Sequence, residues 1–151
     1  MTQAPLMDRI HITEDYDVPR VINGGWQLSA GHALERPLDL ADASRAFNRL
    51  IDMGFDTFDC ADIYTGVEDF FGGIIRERRK AGLRLPQIHT KFVPDLNDLA
   101  NVTPAYVENI ITRSLRRLGV ERLDAVQFHW WDYSVPGMVD VAGELVRLQE
   151  K

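Results

Sequence analysis

Cysteine is nearly absent from this sequence, since Cys60 is the only one among 151 residues. A single cysteine excludes an intrachain disulfide and a zinc cluster built from cysteines, and it is typical of proteins kept in a reducing compartment. His11, His32 and His89 lack the spacing of metal ligands, so we expect no metal site. We expect Cys60 to be a small buried hydrophobic residue and Asp62 to lie in a loop.

Long apolar runs and an excess of positive charge are also missing. No stretch approaches the roughly 20 apolar residues of a membrane helix, and the N-terminus lacks the basic and apolar parts of a signal peptide. With 17 Lys and Arg against 23 Asp and Glu, the net charge is −6, which disfavours nucleic acids and anionic membranes as partners. Together these absences predict a cytoplasmic protein.

The composition that remains is that of a soluble globular domain, with 45% apolar and 26% charged residues. We find no repeat, no low-complexity stretch and no internal boundary, so residues 1–151 are treated as one domain. Residues 1–19 are a lead-in, and the short alternating pieces 9–12 and 20–22 are typical of a small hairpin or an extended segment.

Strand-like and helix-like segments alternate four times along the chain. Strands are predicted at residues 21–22, 55–59, 87–91 and 123–128. Helices are predicted at residues 43–53, capped by Asp39 or Asp42, at 67–80, from Thr103-Pro104 to Gly119, and after Pro136-Gly137. This alternation with short links predicts a parallel α/β fold with right-handed helical crossovers.

Ionisable residues are predicted at three consecutive strand ends, namely Asp59, Lys91 and His129, and Tyr64 follows Asp59 closely enough to fold over the same end. Neighbouring parallel strands lie ~4.8 Å apart, so these side chains are expected to meet. A lysine cation favours the phenolate form of a nearby tyrosine, and a carboxylate keeps that lysine charged. A histidine can hydrogen bond to a substrate oxygen. The set suits protonation of a carbonyl oxygen while a hydride reaches its carbon.

Simpler interpretations exist for each of these residues when it is taken alone. Asp59 can cap a loop with Lys91 as its surface ion-pair partner, Tyr64 can be a ring at the edge of the core, and His129 can be structural.

Four segments resemble the aldo/keto reductases, which are (β/α)8 TIM-barrel enzymes that reduce aldehydes and ketones with NADPH or, less often, NADH. The segments are residues 59–64 (Asp-Cys-Ala-Asp-Ile-Tyr), 90–91 (Thr-Lys), 116–120 (Arg-Arg-Leu-Gly-Val) and 123–130, from Leu-Asp to His-Trp. The resemblance extends from about residue 21 onward.

The resemblance implies roles for particular residues. The catalytic positions are implied to be Asp59, Tyr64, Lys91 and His129. The implied cofactor contacts are Gly25 and Trp26 beside the nicotinamide, with Asp59 near its ribose. The implied substrate contacts are Trp26, Tyr64, His129 and, in the pocket wall, Trp130.

The chain departs from the family at its end, because a family barrel has eight βα units and this sequence supplies about four. It is therefore expected to be an N-terminal half-barrel, with open edges at its first and fourth strands and an apolar interior facing water. The residues that bind the cofactor phosphates in the family are not assigned. We expect a partial chain with weak or no activity alone. The favoured explanation is a fragment or truncated product of a full reductase. The other two are a half-barrel completed by self-association or by a complementary half, and an unstable partial product without function. The alternative is a non-enzymatic binding or regulatory protein.

Overall fold

A sheet of four parallel strands organises this computed structural model, which describes residues 7–30 and 38–151. In the described residues the strands are β1 (Arg9–Thr13), β2 (Tyr16–Pro19), β3 (Asn23–Gly24), β4 (Thr57–Asp59), β5 (Gln87–Phe92) and β6 (Ala125–Phe128). The helices are α1 (Leu40–Asp52), α2 (Val67–Lys80), α3 (Pro104–Leu118) and α4 (Met138–Gln149). The parallel order β3-β4-β5-β6 confirms the predicted α/β fold of four units.

Local capping explains why the helices begin and end close to the predicted residues. The carboxylate of Asp39 accepts hydrogen bonds from two backbone amides of the first turn of α1. Thr103 caps α3 in the same way, with Pro104 at its first position. Gly119 ends α3 at a φ of 68°, in the left-handed region that favours glycine.

The lead-in forms a hairpin, but its second strand is β2 and not residues 20–22. Arg9 binds the side chain and the backbone oxygen of Asp17, so the acidic segment lies within the hairpin. The exposed Val21 and Ile22 precede the first parallel strand, which is only the two-residue β3. The hairpin packs against the sheet through Arg9, which also donates to Asp56 at 2.8 Å.

One face of the parallel sheet is apolar and packs against the helices. Phe58 and Ile88 lie in a first core cluster with residues of α1 and α2. Phe92 lies in a second cluster with residues of α3 and α4. Burial of these side chains is the main source of stability for the four units.

The opposite face, which a closed barrel would enclose, is polar. Register partners in a parallel sheet share a face, and the pairs that define this open face are Thr57 with Gln87, Asp59 with His89, and Lys91 with Gln127. The expectation of an apolar interior facing water is therefore wrong, because the exposed surface is made of hydrogen-bonding side chains. The expected edges are confirmed, since β3 and β6 each pair on one side only within the described ranges.

None of the helices in residues 7–30 and 38–151 combines the length and apolarity needed to cross a bilayer. Those residues also contain no group of three or more His, Cys, Asp or Glu side chains that could hold a metal ion.

Candidate active site

Lys91 is the centre of the polar cluster at the C-terminal end of the sheet. Its Nζ donates to Asp59 Oδ1 at 2.6 Å and to the backbone oxygen of Cys60 at 2.7 Å. The register places Asp59 level with His89, so Lys91 lies further along its strand and reaches back to the carboxylate. The Lys91 side chain is 19% exposed and that of Asp59 is 32% exposed, so this ion pair borders the open face.

Tyr64 joins this pair from the loop that follows β4. Its backbone amide donates to the oxygen of Ala61 at 3.0 Å, which turns the chain back over the strand end. The Nζ of Lys91 then lies 5.4 Å from the centroid of the Tyr64 ring. The predicted contact among a carboxylate, a lysine and a tyrosine is therefore present in the structure.

His129 occupies the rim of the same end and is not part of this contact. It follows β6, where its amide donates to the oxygen of Phe92, and its ring lies 4.5 Å from the ring of Trp131. Among the described residues it makes no side-chain hydrogen bond to Asp59, Tyr64 or Lys91. The stagger of β6 explains this, because Gln127 and not His129 is level with Lys91.

Gln127 is a site residue that sequence reasoning missed. Its Nε2 donates to Asp59 Oδ1 at 3.2 Å, so the carboxylate is held by both Lys91 and Gln127. The signal was the alternation of strand side chains, since Gln127 is two positions before His129 and shares its side of β6.

Gly25 and Trp26 border the cluster at the opposite edge of the sheet. The amide of Gly25 donates to the backbone oxygen of Asp59 at 2.7 Å. A Cβ at this position would lie 3.0 Å from that oxygen and 3.0 Å from Val67 Cγ1, so the close approach favours glycine. Trp26 then begins a short 3₁₀ turn with its side chain about half exposed.

Trp130 does not occupy the position predicted for a pocket wall. It is 4% exposed, packs in the second core cluster, and donates from Nε1 to the oxygen of Val135 at 3.3 Å. The physical reason is that alternation continues past β6 and points Trp130 the same way as Phe128. Its neighbour Trp131 is the exposed indole beside His129, and its Nε1 donates to Pro94.

Two further residues have strongly shifted acidity. Asp62 lies in the predicted loop, and its side chain is fully buried, binds Arg113 at 2.9 Å and accepts a hydrogen bond from the amide of Val93. Burial raises the pKa of Asp62 to about 6, although Arg113 and the Val93 amide oppose this shift. Burial also raises the pKa of the Cys60 thiol to about 12, and Cys60 is the buried hydrophobic residue that was predicted.

His89 lies below Asp59 on the open face and contacts the hairpin. Its Nε2 is 2.9 Å from the hydroxyl of Tyr16. Burial lowers the pKa of His89, while Asp124 and Asp59 act in the opposite direction. We assign this pair to the packing of the hairpin against the sheet, since it joins Tyr16 of β2 to His89 of β5.

A groove of about 770 Å³ lies outside the cluster, between Asp62, Pro94, Arg113 and Trp131. Neither Asp59 nor Lys91 is among the residues that line it.

Comparison with known proteins identifies similar chains of about twice this length. A model of the aldo/keto reductase family matches residues 20–151. A protein from Glycine max described as "Probable aldo-keto reductase 1" is 29% identical over 159 residues, which cover 100% of this chain and 44% of that protein. The chain thus spans less than half the length of this curated relative.

Solved structures show the same relation at the level of the fold. An aldo-keto reductase from Bacillus halodurans, in its holo form, superposes with a TM-score of 0.73 at 21% identity, over 95% of this chain and 47% of that one. An aldo-keto reductase from Bombyx mori in complex with NADP gives a TM-score of 0.72 at 19% identity, over 95% and 47%. The four units therefore have the fold of part of a TIM barrel.

Proposed function

The chain belongs to the aldo/keto reductase family, and from this premise we propose that it supplies the catalytic half of an NADP-dependent oxidoreductase that reduces aldehyde or ketone carbonyls to alcohols. The observation that carries the proposal is the position of Lys91, whose Nζ binds Asp59 and the Cys60 oxygen and faces the Tyr64 ring. An ordinary surface ion pair would not require a tyrosine beside the cation.

In this proposal Tyr64 is the acid that gives its phenolic proton to the carbonyl oxygen of the substrate. The Lys91 cation beside the Tyr64 ring would stabilise the negative charge left after this transfer, because opposite charges attract. Asp59 fixes Lys91, and Gln127 fixes Asp59. His129, on the rim, orients the carbonyl by a hydrogen bond. A bound nicotinamide would supply the hydride.

The residues present fit the nicotinamide end of such a cofactor. The carboxylate of Asp59 is partly exposed and could accept a hydrogen bond from a ribose hydroxyl, and the side chain of Trp26 is about half exposed beside it in the chain segment that follows β3. Phosphates are commonly bound by Arg or Lys side chains and by backbone amides at helix N-termini. Among the strand side chains that define the described open face, Lys91 is the only Lys or Arg, and it is already bound to Asp59. We infer that the phosphate site comes from other residues. NADP in the Bombyx mori relative favours NADPH over NADH.

Closure of the barrel is the second part of the proposal. The edges β3 and β6 present unpaired backbone groups, and a second copy of the chain or a complementary half of four further units would pair with them. The closed assembly would bind a small carbonyl substrate and carry the activity, whereas the chain alone would be weak or inactive.

Tyr64→Phe tests the catalytic assignment. We would co-express this chain with the last four βα units of the Glycine max relative, verify assembly by mass, and follow NADPH oxidation with a reactive aldehyde. Loss of the phenolic proton should lower turnover by about 100-fold or more. Tyr133→Phe is the matched control, because Tyr133 is 78% exposed, and it should have no effect.

Two results would count against the assignment. One is an assembled barrel without aldehyde-dependent oxidation, and the other is a Tyr64→Phe variant that keeps nearly full turnover.

A second candidate is a non-enzymatic binding or regulatory protein of the same family. The scarcity of cations on the described open face favours it, since the strand side chains of this face offer only Lys91 to the phosphates of a cofactor. Binding of aldehyde or a partner without any NADPH binding by the closed assembly would support this candidate.

A further inference from the structure

The loop of residues 60–66 carries Tyr64, and two buried carboxylates lie on either side of this tyrosine in the sequence, one within the loop and one in α2. The side chain of Asp62 is 0% exposed and that of Glu68 is 1% exposed. Neither touches the open face where substrate would bind. Buried carboxylates are costly unless they are paired and hydrogen bonded, so their placement on both sides of Tyr64 calls for a physical reason.

Both carboxylates are held by the same face of α3. Arg113 binds Asp62 at 2.9 Å, and one turn later Arg117 binds Glu68 at 3.2 Å. The Nη1 of Arg117 also donates to the backbone oxygen of Asp62 at 2.9 Å. Two arginines four positions apart point to the same side of a helix, so α3 holds the loop both before and after Tyr64.

The same carboxylates also bind β5 on either side of Lys91. The hydroxyl of Thr90 donates to Glu68 Oε1 at 2.7 Å, and the amide of Val93 donates to Asp62 Oδ1 at 3.1 Å. The loop is therefore attached to the strand that carries Lys91 immediately before and shortly after that residue.

We propose that Asp62 and Glu68, clamped by Arg113 and Arg117, are positioning residues that fix the distance between Tyr64 and Lys91. The inference deepens the proposed function, because it takes Tyr64 as the acid and Lys91 as the cation beside it. It assigns none of the four a contact with substrate or cofactor. They act through the loop, by removing the freedom of residues 60–66 to move away from β5.

The competing interpretation is that these ion pairs contribute only to global stability. The two differ in where a mutation acts. If the ion pairs position the loop, breaking one should increase local unfolding in residues 60–66 and leave the other amides as well protected from hydrogen exchange as before. If they only stabilise the fold, breaking one should increase the unfolding of every element.

Amide hydrogen exchange of the full chain, measured by mass spectrometry, tests this difference. Asp62→Asn removes the charge that holds Arg113, and Arg117→Gln removes the bonds to Glu68 and to the Asp62 oxygen. Each should accelerate exchange in residues 60–66 by about tenfold or more, with β1–β2 and α4 unchanged. Arg116→Gln is the matched control, since Arg116 is adjacent, exposed and without an ion pair in the described part of the chain.

Arg117→Lys extends the test to a variant that keeps the charge. Lysine lacks the forked geometry with which Arg117 bridges two acceptors, so exchange in residues 60–66 should rise by an intermediate factor. This variant also serves if Asp62→Asn does not fold.

NMR of the protein with ¹³C at Cζ of its tyrosines gives a second measurement, which a change in global stability alone would not alter. The Tyr64 resonance, assigned by its loss in Tyr64→Phe, should shift or broaden in Asp62→Asn and Arg117→Gln, while that of Tyr133 stays in place. In the closed, active assembly the same variants should lower kcat by about tenfold or more and leave KM for the aldehyde nearly unchanged.

The proposal is overturned if exchange in residues 60–66 is unchanged, or if it rises equally in β1–β2 and α4. A change in KM with constant kcat would also overturn it. Exchange and resonance positions need neither substrate nor cofactor, so these results stand apart from the question of whether the assembly reduces carbonyls.

Discussion

Lys91 is the residue on which the chemistry of the proposed site depends. In residues 7–30 and 38–151 it is the one cation that contacts both the carboxylate of Asp59 and the ring of Tyr64. A charged group so little exposed is held by two short hydrogen bonds, which keep it in one place when substrate arrives. Removal of this charge would leave Asp59 with Gln127 as its remaining partner in the described site and Tyr64 without the cation that stabilises its anion.

The raised pKa of Asp62 predicts how the free energy of unfolding changes with pH. Burial raises its pKa from the ordinary 3.8 to about 6, so the folded state binds this proton more tightly than the unfolded state does. The contribution of Asp62 to the free energy of unfolding is therefore largest below about pH 4 and is lost as the pH rises to about 6. The loss is at most about 3 kcal/mol.

Urea unfolding of the wild type and Asp62→Asn, at about pH 4 and about pH 7, checks this prediction. Other titrating groups cancel in the difference between the two proteins. The wild type should lose stability relative to the variant as the pH rises. A difference that is constant with pH would show that burial of Asp62 does not raise its pKa.

The contacts that could be predicted from the sequence are those between residues at or just after the ends of strands. Asp59, Lys91 and Tyr64 are in contact as expected, because consecutive parallel strands end at one edge. Gln127 and Trp131 were missed, since the stagger of β6 decides which residue is level with Lys91. That stagger depends on pairing along the whole sheet and is not readable from any local pattern.

At the scale of elements, the close packing of α2 against α3 supports the clamp on the Tyr64 loop. A Cβ on Gly72 would lie 2.1 Å from the backbone oxygen of Arg117, which shows that the two helices touch backbone to backbone at this point. The contact holds Arg117 at the distance from which it reaches Glu68.

Gly72→Ala should therefore destabilise the fold, although alanine favours a helix more than glycine does. Separating the helices is expected to cost about 1–3 kcal/mol, which exceeds the helical gain of about 1 kcal/mol. Gly73→Ala is the matched control on the same turn, because its Cβ would meet only the flexible end of Arg76 at 3.9 Å. It should raise stability by about 0.5–1 kcal/mol. The comparison is made by thermal or urea unfolding, and a stabilising Gly72→Ala would contradict the close contact.

The helices were more predictable than the short strands for a physical reason. Caps such as Asp39 and Thr103 are local signals, and α2 begins and ends where its apolar periodicity does. By contrast β3 has two residues, and the hairpin is attached to the sheet by ion pairs such as Arg9 with Asp56, residues far apart in sequence. Contacts of that kind cannot be read from a local window of sequence.

At the scale of the whole molecule, the chain is four units of a barrel with one polar face and two unpaired edges in its described residues. It covers about half of the related structures. The open face can be exposed to water because it is polar and not apolar as expected. Its side chains are hydrogen bonded to one another. In our proposal these four units carry the catalytic residues, and the second copy or complementary half that completes the barrel binds the cofactor phosphates.

Binding of NADPH, measured by quenching of the three tryptophans together with the mass in solution of the same sample, tests that assignment most directly. The account predicts saturable binding only by a closed assembly, either a dimer or the chain with a complementary half, and no tight binding by the monomer. Tight, saturable binding by the monomer would contradict the account, because the phosphate site would then lie within these four units. A closed assembly that fails to bind NADPH would contradict it equally.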